Sequence, residues 1–189
     1  LKDSYAPELN ITAAVIEGMV PNYRNFIATA DGSVGSGFAM ATLLGLEPHY
    51  PDMRINDHLN DAGRKVADYY RTQCQTPAYF TLPMVPLKTL FKGNQSPANI
   101  PAFQRAYRDN VMGKGTPAKG VRTLVASCVA DDSPMSLVPA ADSRKLVREW
   151  RSRGGKVDYQ PTDCSMVKFI TDMYGWGTDL LGMQTIDWF

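Results

Sequence analysis

Histidine, cysteine and charge of one sign are all scarce in this chain, and each scarcity closes a class of function. Two histidines, His49 and His58, and three cysteines, Cys74, Cys128 and Cys164, stand among 189 residues. None has the spacing that a zinc or other metal site needs. Basic and acidic residues balance at 20 against 19. They are scattered, so neither nucleic acid nor an anionic membrane surface is expected as a partner. No apolar run reaches the about 20 residues of a membrane-spanning helix. A phosphate-cradling loop is missing too. Gly35, Gly37 and Gly45 lack the preceding strand and partner group that such a loop requires, so they read as packing or turn residues and no cofactor is implied. There is no signal-peptide pattern, and a chain that opens on Leu1 rather than methionine reads as processed, or cut from something longer.

What the chain does contain is organised around residues 121–157. The run Val121-Arg-Thr-Leu-Val-Ala-Ser-Cys-Val-Ala130 is short, apolar and β-branched, which suits a buried strand. It ends in Asp131, Asp132 and a Ser-Pro turn. From Asp142 the apolar residues Leu146, Val147 and Trp150 recur at helical spacing, and Gly154 and Gly155 stand where a helix ends. Lys156-Val-Asp-Tyr159 reads as a second short strand. Strand, helix and strand in this order predict a βαβ unit and a mostly parallel sheet of the α/β class. In such sheets, ligands gather beyond the carboxyl ends of the strands, where Asp131 and Asp132 would lie.

Around that unit the expected organisation has three parts. Residues 1–18 hold a first core strand, Leu9-Asn-Ile-Thr-Ala-Ala-Val-Ile16, and its approach. Residues 19–115 are helical and interrupted by proline, which reads as an inserted cap rather than a simple crossover. Helices are expected near residues 21–26, 33–46, 51–60, 61–72 and 102–112. His58 reads as a surface or cap group and His49 as a loop residue. Residues 116–189 complete the core, with a helix capped by the Pro-Thr-Asp163 pattern. Trp176, Trp188 and Phe189 read as covering side chains. Asn10-Ile-Thr12 and Asn94-Gln-Ser96 are N-glycosylation acceptor patterns, and an odd cysteine count suggests a free thiol or a bond to another chain.

Several of these segments together resemble the fungal secretory lipase family, a branch of the α/β-hydrolases with a helical cap. Tyr5-Ala-Pro-Glu-Leu-Asn10 resembles the segment leading from the nucleophile helix to the next strand. Gly37-Phe-Ala-Met-Ala and His49-Tyr-Pro-Asp-Met53 resemble parts of the cap. Ala130-Asp131, then Val138-Pro139, then Ala141-Asp-Ser-Arg144 resemble the turn that bears the acidic triad member and the helix after it. The resemblance spans nearly the whole chain but only the second half of a family member. It implies the C-terminal part of an α/β-hydrolase sheet with an inserted helical cap, completed by a second chain. That chain would be the N-terminal half of the same proteolytically processed precursor, giving a secreted heterodimer. No Gly-x-Ser-x-Gly occurs here, so the nucleophile belongs to that other half. Gly32-Ser-Val-Gly and Gly35-Ser-Gly are poor substitutes, because neither follows a convincing strand.

The resemblance also assigns roles. Asp131 takes the triad-acid position, with Asp132 as the alternative, because the stretch to Val138-Pro139 is longer here than in the family. Cys74 corresponds to a cysteine bonded to the N-terminal half, which implies an interchain disulfide. Cys128 and Cys164 lie at or near the ends of neighbouring sheet elements and either pair or remain as two buried thiols. Where the family has an acidic residue and then histidine, this chain has Asp163 and Cys164. A thiol lacks the two-sided imidazole that takes the serine proton while aspartate holds it. The expectation is therefore a lipase-like protein that has lost the standard triad and binds an apolar or lipid-like ligand or a protein partner. The alternatives are an active lipase or esterase with a relocated histidine, or a lipase-derived enzyme of different chemistry.

Overall fold

The computed structural model describes residues 7–73, 81–115, 119–129, 138–180 and 183–188. The chain divides into two compact bodies. One comprises Asn22–Val111 with Pro134–Val138, and the other comprises Leu1–Pro21, Met112–Ser133 and Pro139–Phe189.

The first body is helical. Its elements are α1 (Tyr23–Ala30), α2 (Ser36–Leu46), the short α3 (Ile55–His58), α4 (Asp61–Thr72) and α5 (Gln104–Asp109). Asparagine starts two of them: the Asn22 side chain accepts from the Asn25 amide at 3.2 Å and that of Asn60 from Gly63 at 2.9 Å, satisfying donors that a first helical turn leaves free. The stretch 51–60 does not form one helix. A 3-10 turn, Pro51–Met53, meets Arg54 in the left-handed region (φ 41°) before α3 begins. Residues 102–112 also form less helix than their composition suggests. Pro101–Phe103 is a 3-10 turn, and α5 stops at Asp109, where the Asn110 amide group turns back onto the Ala106 carbonyl (2.8 Å) and reaches the Tyr50 hydroxyl (2.9 Å).

The core of this body is aromatic at its centre. Phe103 is fully buried and meets His58, Phe91 and Tyr107 edge-on at 5.3, 6.3 and 6.5 Å between ring centroids. The backbone packs closely as well. Asn60 donates its amide to Leu90 (3.0 Å), and a Cβ at Gly63 would collide with the Leu90 carbonyl oxygen.

The second body is a three-stranded parallel sheet in the order β1 (Ala13–Ile16), β2 (Arg122–Cys128), β3 (Lys156–Thr162), with Val15 beside Leu124 and Val125 beside Tyr159. Helix α6 (Ala140–Ser152) makes the crossover from β2 to β3, and α7 (Met166–Thr171) and α8 (Met173–Leu180) follow. The βαβ expectation describes these elements, because Leu146, Val147 and Trp150 of α6 bury themselves against Val125 and Val157. Two boundaries differ. Pairing protects only residues 13–16 of the expected first strand, and β3 runs on to Thr162, because Gln160, Pro161 and Thr162 remain in register with β2. Helix α7 accordingly starts from Ser165, whose hydroxyl accepts from the Lys168 amide at 3.1 Å, rather than from the Pro-Thr-Asp pattern.

The two outer strands are not alike. β3 carries exposed Lys156 and Asp158, and Pro161 within the strand, which are devices that discourage further pairing. β1 is Ala-Ala-Val-Ile, half-buried along its length, with none of them.

Candidate functional site

In a parallel sheet the chemistry is expected where the strands end, and the carboxyl ends of β2 and β3 are held unusually tightly. Cys128, the last residue of β2, is disulfide-bonded to Cys164, two residues beyond β3, with a Cα to Cα distance of 5.6 Å. Of the two readings of these cysteines, pairing is the one found. Cys164 is buried, and its carbonyl accepts from the Trp176 indole at 3.0 Å, so the bond also anchors α8. The Val129 amide continues the ladder to the Thr162 carbonyl at 3.1 Å. Just before the bond, the Ser127 and Tyr159 hydroxyls lie 3.0 Å apart across the two strands.

Asp163 is exposed beside this bond. The Ser165 amide donates to its carboxylate at 2.9 Å, and that bond, followed by one from the Ser165 hydroxyl, holds the carboxyl below the ordinary aspartate range. Asp163 is thereby an ionised group at the entry to α7, oriented by its own chain. Asp131, Asp132 and Cys74 lie outside the described residues.

Chemically, the sheet body's own described residues at this end offer carboxylate and hydroxyl groups. Both histidines of the sequence belong to the helical body. His58 is half-buried against the Phe103 ring, and His49 is exposed at the end of α2. With its sulfur bonded to Cys128, Cys164 has no thiol with which to act as a nucleophile or base. Ser33 and Ser36 are committed elsewhere. Both hydroxyls donate to the Ala30 carbonyl, at 2.9 and 3.1 Å, and accept from the amides of Gly35 and Gly32. No cluster of histidine, cysteine and acidic side chains suited to a metal ion occurs among the described residues. Asn10 and Asn94, the glycosylation acceptors, are both exposed.

Sequence reasoning missed the Ser127 and Tyr159 pair, the Ser165 cap and the Trp176 anchor. The cap had a readable signal, a serine directly before an apolar helical run. The other two depend on strand register and on where α8 packs.

The fold is that of lipase A from Candida antarctica, an α/β-hydrolase. The chain superposes on the closed-state crystal structure with a TM-score of 0.69 at 23% identity, and on a second crystal structure of that lipase with 0.71 at 22%. In each case 85% of this chain is covered but only 38% of the other. The model of the secretory lipase family matches residues 1–180, and the chain belongs to that family. Similar proteins include the secreted triacylglycerol lipase LIP1 of Malassezia furfur, 27% identical over 184 residues, and a lipase A of Arthroderma benhamiae, 26% identical over 172 residues. These alignments cover 93% and 85% of this chain against 36% and 34% of the relatives, so the chain spans about a third of their length. As a member of this family, the protein is secreted. No helix among the described residues is long and apolar enough to cross a membrane.

Proposed function

We propose that the chain is the C-terminal part of a secreted lipase-like protein that has lost the standard Ser-His-Asp triad. It acts by binding an apolar or lipid-like ligand, or a protein partner. The observation that carries this reading is the bond between Cys128 and Cys164. The family resemblance sets histidine at position 164, and a cystine there can neither take a proton from a serine nor be oriented by Asp131 or Asp132. The two histidines of the chain precede the acidic residues in order, whereas the fold normally brings its histidine after them. Loss of the base lowers acyl transfer by several orders of magnitude. The relatives are named as triacylglycerol lipases, which makes an acyl chain or another apolar molecule the natural ligand class.

The same reading includes a second polypeptide, the N-terminal half of a common precursor, linked through Cys74. The unprotected β1 edge supports it, because a strand with no edge device is suited to an interior position in a wider sheet. The test uses the secreted species recovered without reductant. Incubation with short- and long-chain nitrophenyl esters and with a serine-directed phosphonate should give neither turnover nor labelling, while a fluorescent fatty-acid probe binds. Phosphonate labelling accompanied by ester hydrolysis overturns the loss of the triad. A gel band unchanged by reductant overturns the interchain bond.

A further inference from the structure

Basic residues that are scattered along the sequence are gathered by the fold where the strands begin, at the opposite end of the sheet from the disulfide. Arg122 and Lys156 are the first residues of β2 and β3, stand beside each other in register and are both exposed. The end of α6 reaches the same place. Arg151 donates to the Val157 carbonyl at 2.7 Å, and Arg153 donates to the carbonyls of Gly113 and Gly115, which flank the exposed Lys114. These contacts run from Lys114 through Arg153 and Arg151 to Lys156 and Arg122, so the five charges share one surface.

Nearby acids do not answer them. In the helical body Arg54, Arg64, Arg71 and Arg105 each form an ion pair with an acidic side chain. Among the described residues, no acidic side chain forms one with Arg122, Arg151, Arg153 or Lys156. Glu149 pairs with Lys145 at 3.8 Å, Asp158 accepts from the Trp188 indole at 2.9 Å, and Asp187 is exposed. Like charges side by side on neighbouring strands cost stability, and an anion lying against them restores it. Trp188 belongs to the same surface. The Arg122 guanidinium stands 4.5 Å from the centre of its ring, and Trp188 closes a 3-10 turn, Met183–Trp188, in which Ile186 is 62% exposed.

We infer that this end of the sheet body docks onto an anionic phospholipid surface, with its basic side chains on the headgroups and Trp188 and Ile186 at headgroup level. A soluble polyanion would meet the charges alone. An amphipathic indole and an exposed isoleucine beside arginine and lysine are the composition of an interfacial anchor. The surface differs from any site for the neutral triacylglycerol of the relatives' names, and it lies at the other end of the strands from the disulfide and Asp163. The inference therefore stands whether or not the triad is lost.

The test is flotation of the secreted species with vesicles of phosphatidylcholine alone, and with vesicles in which phosphatidylserine replaces about a third of it. Binding to the anionic vesicles only is the expected result. It should weaken as salt rises from about 0.1 M to about 1 M, where the screening length falls from about 10 Å to about 3 Å. Arg122→Gln with Lys156→Gln should lower the affinity by about fivefold for each charge removed, about 30-fold in all. Arg54→Gln with Arg64→Gln takes the same charge from the helical body and should leave binding unchanged. An equal loss in that second pair means that net charge alone is read and overturns the inference. So does equal binding to both vesicles, binding indifferent to salt, or no binding at all. Retention on a heparin column without vesicle binding assigns the surface to a soluble polyanion and overturns it as well.

Discussion

The helical body and the sheet body treat their large apolar side chains differently. Among the described residues, ten such side chains are exposed. Two, Tyr69 and Met84, belong to the helical body, and eight belong to the sheet body, from Leu9 and Ile11 before β1 to Ile186 near the C-terminus. The helical body closes its own core, with Phe103 at the centre of an aromatic cluster. The sheet body packs α6 against its strands and holds its strand ends with a covalent bond, yet leaves β1 without edge devices and Val167, Ile170, Met173 and Tyr174 exposed. The difference separates a body that keeps nearly all its described large apolar side chains inside from one that leaves several of them exposed.

If that contrast holds, the largest losses come from the interior of the helical body. Phe103→Ala removes a fully buried ring and its three edge contacts, which costs about 3 to 5 kcal/mol. Hydrogen exchange should show the loss in the amides of α3 to α5. A cost under about 1 kcal/mol would mean that this core is not closed. Next in size is the joint replacement Cys128→Ala with Cys164→Ala. The bond spans 36 residues, and closing a loop of that length contributes about 3 to 4 kcal/mol through the unfolded chain. Denaturant unfolding with exchange at β2 and β3 reads that change. Gly63→Ala comes third at about 2 kcal/mol, because α4 must retreat from the Leu90 carbonyl.

How much of this was readable from the residues follows the same division. The βαβ unit was legible because Val125, Leu146, Val147, Trp150 and Val157 carry the core in a local pattern. Element ends were less legible, because they depend on partners distant in sequence. β1 stops short of Leu9 since β2 offers a mate only from Arg122, and β3 extends over Pro161 since Ser127 lies beside it. The helices near residues 54 and 110 break for side-chain and backbone reasons that apolar periodicity does not encode. At the strand ends, the reading that Cys164 stands where the family has histidine rests on resemblance alone. The bond to Cys128 was left open there, because two cysteines in neighbouring elements fix a possibility and only strand register decides it. The outward apolar face of α7 and α8 was not legible. Val167 and Ile170 stand at helical spacing, and nothing local distinguishes a buried apolar position from an exposed one.

A smaller effect separates the bodies by pH. Tyr107 is buried in the helical body and donates its hydroxyl to the Pro97 carbonyl at 3.0 Å, and burial raises its pKa from the ordinary 10.0. Above pH 10 the unfolded chain releases this proton while the folded chain keeps it. The contribution to stability is therefore complete below the ordinary value and falls, by up to about 1.4 kcal/mol per pH unit, as pH rises toward the raised one. Tyr107→Phe should cost about 1 kcal/mol at neutral pH, for the lost hydrogen bond, and should remove that alkaline slope. Urea unfolding of both forms from about pH 9 to pH 11 measures the difference. An identical slope in the variant would show that the phenol ionises in place.

The least effect is expected where the sheet body is bare, and its smallness is informative. Val167→Ser with Ile170→Ser removes two exposed apolar side chains that have nothing over them in the isolated chain. Urea unfolding of the chain alone should change by no more than about 0.5 kcal/mol, the usual range for surface substitutions. Because exposed apolar surface drives nonspecific association, the variant should also stay monodisperse to higher concentration in light scattering than the parent chain. A cost near that of Phe103→Ala would mean that α7 packs inward, and the contrast between a closed body and an open one would fail at the residues on which it depends most.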